Sequence, residues 1–256
     1  MTHIYHNIFE PTRSLVELAE VKQLPRFQQM DAETLGWIAS NRPRGERAPL
    51  RSDLDALRAQ AVVWPIDPTW YLEPRIVDGI HGIRHSVRVA IYAQLLAERH
   101  SLSARAQRLL VLAALLHDVR RIDDRSDERH GARCAEWVGQ TEGLACLKDL
   151  SPFEREIIRS TIAFHDVSID LDIPDKHDPS AVLKDLLRTA DALDRYRLPK
   201  RSWWMDESRL RMKPTGDLKT FAFDLVVASE RYFLAGEESF FAVMGALHDL
   251  QAHYVH

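Results

Sequence analysis

The stretch Leu109 to Arg121 reads LLVLAALLHDVRR, and its chemistry lies in two adjacent residues, His117 and Asp118. Eight apolar residues run into the pair without a break. A segment apolar on every side is a buried helix. Its end therefore carries an imidazole and a carboxylate out of the core. Aspartate is almost never buried without a cation or a hydrogen-bond partner. A solvated helix end and an interior pair that demands a partner fit this stretch alone equally well.

Other parts of the chain shift the balance. Ile80 to Ala97, IHGIRHSVRVAIYAQLLA, sets His85 in front of an amphipathic helix with Val87, Ala90, Ile91, Leu95 and Leu96 inward. In Leu186 to Asp194, LLRTADALD, Asp191 ends another apolar run. A His, then His-Asp, then Asp, each attached to an apolar helix, resembles the HD-domain metal-dependent phosphohydrolase superfamily over about residues 76–200. Many members carry Gly two residues after the His-Asp pair, where this chain has Arg120. The resemblance implies that His85, His117, Asp118 and Asp191 hold one ion. It further implies that Asp118, His130 and His165 hold a second, as in the two-metal branch, with Asp118 bridging. The sequence around His130, RHGARCAEW, looks like that of HD hydrolases that cleave dinucleoside polyphosphates. Any one of these histidines alone reads better as a capping or core residue; six candidates in family order do not read as accidents.

The donor types set the expected cofactor. Imidazole and carboxylate together suit one or two borderline divalent transition ions (manganese, iron, cobalt, nickel or zinc), and magnesium fits less well. No cysteine joins the set, which argues against a structural zinc site. Such ions lower the pKa of bound water and support in-line attack on phosphorus. Arg84, Arg121 and Arg125 are the expected substrate contacts, because arginine stays charged and binds phosphate bidentately. Arg121 leads, since its loop directly follows the His-Asp pair. Asp118 and Arg121 are expected to take part in catalysis. His81, four residues before His85, either protonates the leaving group or caps a helix.

These residues must be positioned by helices. Ser14 to Val21 and Ala32 to Ala39 are amphipathic, with Asp31 a fitting N-cap. Asn41 to Pro49 reads as a loop, Ser52 to Val63 as a helix, and WPIDPTWYLEP as an extended strap. Trp64, Trp70 and Tyr71 either pin the strap to the body or wall a ligand. Ser103 caps the helix that delivers His117 and Asp118, and another helix starts near His130 and Gly131. Ser151-Pro152-Phe153-Glu154 has the form of a capping box with Pro at the first helical position. Its helix ends at His165-Asp166. A loop with Asp166, Asp170, Asp172, Asp175, Asp178 and Pro174 follows; it lacks the Gly and Glu of an EF-hand. Pro179 opens the helix bearing Asp191. Residues 199–217 are irregular, and Leu218 to Leu234 and Glu237 to His253 are long helices. No strand alternation persists. The expectation is one all-α body: an HD helical bundle at 76–200, an N-terminal helical extension and strap at 1–75, and C-terminal helices at 201–256 packed on the core.

Composition bounds the rest. The chain has 256 residues, 45% hydrophobic and 28% charged, with a net charge of -4. That balance gives no global pull toward nucleic acid or anionic membrane. No segment is apolar enough to span a bilayer, the start does not read as a signal peptide, and two cysteines fit a reducing compartment. The expectation is a cytoplasmic enzyme acting on a small phosphorylated substrate of nucleotide type. No pattern specifies an oligomeric state. The rival readings are an HD-type di-iron oxygenase and a non-catalytic helical module that binds a partner or nucleotide.

Overall fold

The computed structural model describes residues 13–43, 65–141, 144–167 and 177–254. The helix expected at Ser52 to Val63, Trp64, and loop residues Asp170, Asp172, Pro174 and Asp175 lie outside them. Among the described residues there is no strand, and the fold is all-α. The α-helices are α1 (Leu15–Glu20), α2 (Ala32–Ser40), α3 (Ile83–Arg99), α4 (Ala104–Leu116), α5 (His130–Gln140), α6 (Pro152–Ala163), α7 (Ala181–Asp194), α8 (Gly216–Leu234) and α9 (Ser239–Tyr254). Residues 199–215 hold only short 3-10 turns, at Arg201–Trp203 and Glu207–Arg209, and the long helix begins at Gly216, two residues before the expected Leu218.

Local chemistry sets the starts. Ser14 and Ser151 each form a full capping box, with Glu17 and Glu154. Asp31 accepts from Thr34 N and Ser103 from Ala106 N. Each cap satisfies donors that the first helical turn leaves over. Helix α7 begins at Ala181, just beyond Pro179, with Ser180 at the N-cap.

Helix α3 is the axis of the bundle. It packs against α4, α7, α8 and α9, and α4 packs in turn on α6 and α7. Every residue of α3 from Ile83 to Ala97 is buried, its arginines included. Leu109 to Leu116 of α4 are buried too. One apolar cluster runs from Leu15 through the bundle to Leu247, so α1, α2, α8 and α9 share the core of the central helices. The strap is pinned by packing. Tyr71 is buried with its hydroxyl 3.3 Å from Ser86 Oγ, and Trp70 packs on Trp137. Arg120 donates to Trp70 O and lies over Trp137.

Candidate metal centre

Two glycines decide how the helices approach. A Cβ on Gly82 would lie 2.1 Å from Val77 O, so only glycine admits the chain at the N-cap of α3. That sets His85 in the first turn, facing inward. A Cβ on Gly131 would meet Ile162 O at 2.7 Å and His165 Nδ1 at 2.9 Å. The start of α5 and the end of α6 thus touch backbone to side chain, and His130 meets His165. Arg129, just before, adopts a left-handed φ of 64°, an uncommon conformation for a residue with a side chain. His117 is the C-cap of α4, with Asp118 in the turn after it.

The six expected ligands converge. His85, His117 and Asp118 form one group of potential ligand atoms, and Asp118, His130 and His165 a second; both are buried. Asp191 Oδ1 is 3.4 Å from His85 Nε2. The tautomers follow from the partners. His85 Nδ1 faces Asp194 Oδ2 at 2.8 Å, His117 Nδ1 faces Ala114 O at 2.6 Å, and the Nδ1 atoms of His130 and His165 face Asp127 O and Ile162 O at 2.7 Å. Each Nδ1 meets an acceptor and must carry the proton, which leaves Nε2 of a neutral ring as a lone pair. Those lone pairs point at one another: His85 to His117 at 3.1 Å, His130 to His165 at 2.9 Å. Asp118 Oδ1 lies 3.0 Å from His130 Nε2, and 3.6 and 3.8 Å from those of His165 and His117, yet is buried without a hydrogen-bond partner. Arg121 Nη1, 3.2 Å from His130 Nε2, meets one of these lone pairs; the others and the orphaned carboxylate oxygen repel one another unless a cation sits among them. This donor set fits a divalent metal.

The electrostatics agree. Burial pushes His117 down to about 3, so the ring is neutral. Burial opposes ionisation of Asp118, but Arg121, His117 and His130 hold it well below the usual carboxylate range. Asp191 is also lowered against burial, chiefly by His85 and His117. Burial pushes His165 down, yet the Asp118 carboxylate raises it overall; the charge that would attract a metal also attracts a proton.

Behind His85 lies a charged network that sequence reading missed. Asp194 accepts from His85 and, bidentately, from Arg88 at 2.6 and 3.0 Å. Arg88 and Arg84 reach Glu230 of α8 at 2.7 and 2.9 Å, and Arg84 also donates to Ser239. Arg84 was expected to touch substrate. Its guanidinium is instead buried among Glu230, Ser239 and the Phe233 ring, turned away from the candidate ligands, and this corrects the expectation. Two signals were available: Asp194 beside the apolar residues of α7, since a buried carboxylate requires partners, and the helical phase that sets Arg84 and Arg88 on the side of Ile91 and Leu95.

The centre forms the floor of a cavity of about 740 Å³. Its lining includes Asp118, His130, His165 and Asp191, the cations Lys22, Arg121, Arg125, Arg195 and Arg197, and Trp203. Arg121 turns Nη1 toward Asp118 at 3.6 Å, while Nε and Nη2 donate to Asp123 O and Arg125 O. Arg125 is exposed on the rim. His81 lines the cavity and caps nothing; α3 has no side-chain cap. Its Nδ1 is 3.0 Å from Asp124 Oδ1. Burial, then Arg121 and Arg197, hold His81 well below its ordinary pKa, so it presents a neutral ring. Burial pushes Asp124 up to about 6. Cys134 is buried, accepts from Arg120 N and does not line the cavity. No described helix is long and apolar enough to cross a membrane.

The family model described as HD domain matches residues 82–196. No curated protein and no solved structure matches the chain.

Proposed function

With residues 82–196 an HD domain, and the chain thereby a member of the HD superfamily of metal-dependent phosphohydrolases, we propose that this protein hydrolyses a small phosphorylated substrate, of nucleotide type, through a one- or two-metal centre. The observation that carries the reading is the set of lone-pair nitrogens around Asp118 on the floor of a cavity walled by five cationic side chains. A donor set of that kind suits a transition metal, and such a wall suits an anionic substrate.

In this reading His85, His117, Asp118 and Asp191 hold one ion, and Asp118, His130 and His165 the other. Ions so held supply Lewis-acid polarisation of a phosphoryl oxygen and a lowered pKa for water. Asp118 contributes the negative charge shared by both positions. Arg121 Nη1 stays beside Asp118 and lends positive charge to that side of the cavity. His81, oriented by Asp124 through Nδ1, keeps Nε2 as a hydrogen-bond acceptor for a water in the cavity. Trp203 offers an aromatic face for a planar base, and Leu24, Ile80 and Leu198 line the same space and reduce its water.

The test is a panel of phosphomonoesters, phosphodiesters and nucleotides, incubated with manganese, cobalt, nickel, zinc or magnesium, with phosphate or nucleotide release as readout. Metal-dependent hydrolysis of at least one class is expected. Oxygen uptake with ferrous iron and no hydrolysis would favour the oxygenase reading. Neither activity would leave a binding module.

A further inference from the structure

Two buried arginines line the cavity, Arg121 and Arg197, and they differ in what their donors do. Arg121 spends Nε and Nη2 on the carbonyls of its own loop, at Asp123 and Arg125. Its Nη1 is taken up by His130 Nε2 at 3.2 Å and Asp118 at 3.6 Å. It braces the loop that follows the His-Asp pair. Arg197 sits in the turn Arg195–Arg197 directly after α7, one residue beyond the HD match. It is 3% exposed. Nε donates to Ile80 O at 2.6 Å, which fixes the plane of the guanidinium beside His81. Nη1 lies 3.4 Å from Asp194 Oδ2 but is buried without a hydrogen-bond partner.

A buried guanidinium with an unused donor edge, in the wall of a cavity, is an incomplete site. Asp194 balances the charge of Arg197 but does not satisfy its N–H groups, since an ion pair without hydrogen-bond geometry leaves donors unmatched. Oxyanions of phosphate or a phosphate ester match such an edge in charge and shape. Arg197 lines the same cavity as Asp118, His130, His165 and Asp191, beside the candidate metal centre. Arg121 lies on the His130 side of that centre, and Asp191 and Arg197 on the α7 side.

Resting on the phosphohydrolase reading, we propose that Arg197 is the anion clamp of this cavity: the part of its guanidinium that lines the cavity, beyond the sealed Nη1, receives the non-bridging oxygens of the substrate's phosphoryl group. Arg121 has the different task of holding the loop and Asp118. The site takes inorganic phosphate, a phosphomonoester or the terminal group of a polyphosphate. Arg195, whose Nε is held by Trp203 O at 2.7 Å, and Lys22 lie farther out and serve additional charge on longer substrates.

The experiment uses the metal-loaded full chain with Arg197→Lys and Arg197→Met. Metal content is measured by elemental analysis, affinity for inorganic phosphate by calorimetric titration, and kcat and KM on a nitrophenyl phosphoester. Arg197→Lys keeps the charge near Asp194 and loses the planar fork, so it serves if the Met variant does not fold. Both variants are expected to hold wild-type metal, to bind phosphate at least tenfold more weakly, and to raise KM. A variant with wild-type metal and wild-type phosphate affinity overturns the assignment while hydrolysis by the wild type leaves the enzyme reading intact. Loss of metal in Arg197→Lys also overturns it, by giving Arg197 a structural role. A metal-loaded wild type that neither binds phosphate nor hydrolyses any ester overturns both.

Discussion

Asp194→Asn perturbs the site without touching a candidate ligand atom. In the wild type Arg84, Arg88 and Arg197 face two carboxylates, Asp194 and Glu230, in a fully buried cluster. The substitution leaves one carboxylate against three guanidinium groups. Asparagine also brings an NH₂ group toward Arg88, which has nothing to accept it. Removing one partner of a buried ion pair costs about 3–5 kcal/mol. For a chain of this size each kcal/mol moves Tm by about 2–4 °C, so a drop of about 6–20 °C is expected. The second effect is on His85. Asp194 fixes the proton on Nδ1 and the ring angle, and loss of such a partner typically weakens metal binding about 10- to 100-fold. Thermal unfolding in chelator and metal titration at 25 °C separate the two effects. A variant that melts with the wild type and binds metal with unchanged affinity would refute the reasoning: the network would then neither stabilise the bundle nor orient His85.

Three further outcomes are expected. His165→Ala and His130→Ala should each lose one ion per chain and keep the other, with turnover falling on the order of 100-fold, the scale of losing one electrostatic stabiliser; elemental analysis beside kinetics checks this. Asp124 has its carboxyl raised to about 6 by burial, so between its unfolded value near 4 and pH 6 the folded chain binds a proton that the unfolded chain releases. That group therefore favours folding in acid, and its contribution is lost as pH rises through 6, by at most about 3 kcal/mol. Asp124→Asn should flatten this slope in denaturant unfolding measured from pH 4 to 7; an unchanged slope would contradict the buried carboxyl.

Much of the architecture was legible because it is encoded locally. Capping residues Ser14, Asp31, Ser103 and Ser151 mark helix starts through their own hydrogen bonds to the next turn. The candidate ligands were legible because each stands at or near the end of an apolar helix, where an unexplained His or Asp is conspicuous. The arginines were not. Arg84 and Arg88 share the side of α3 that carries Ile91 and Leu95, so the helical period places them inward, but it does not show what would partner them there. They are buried because α8 and α9 cover that face and bring Glu230, 146 residues from Arg84 in sequence, against them. Arg197 was missed for a related reason: its place in the cavity depends on the carbonyl of Ile80, 117 residues away. Pairings of that range leave no periodicity to read.

The central claim is that the lone pairs around Asp118 hold transition metal. The direct measurement is elemental analysis of wild-type and Asp118→Ala protein purified without chelators and reloaded with manganese, cobalt or zinc. Asp118 is the one group common to both sets of ligand atoms. The wild type should carry at least one ion per chain and approach two on loading, and Asp118→Ala should lose metal and hydrolysis together, because without that charge the cations repel each other unscreened. A wild type that takes up no divalent metal, or an Asp118→Ala protein with full metal and full activity, would contradict the account.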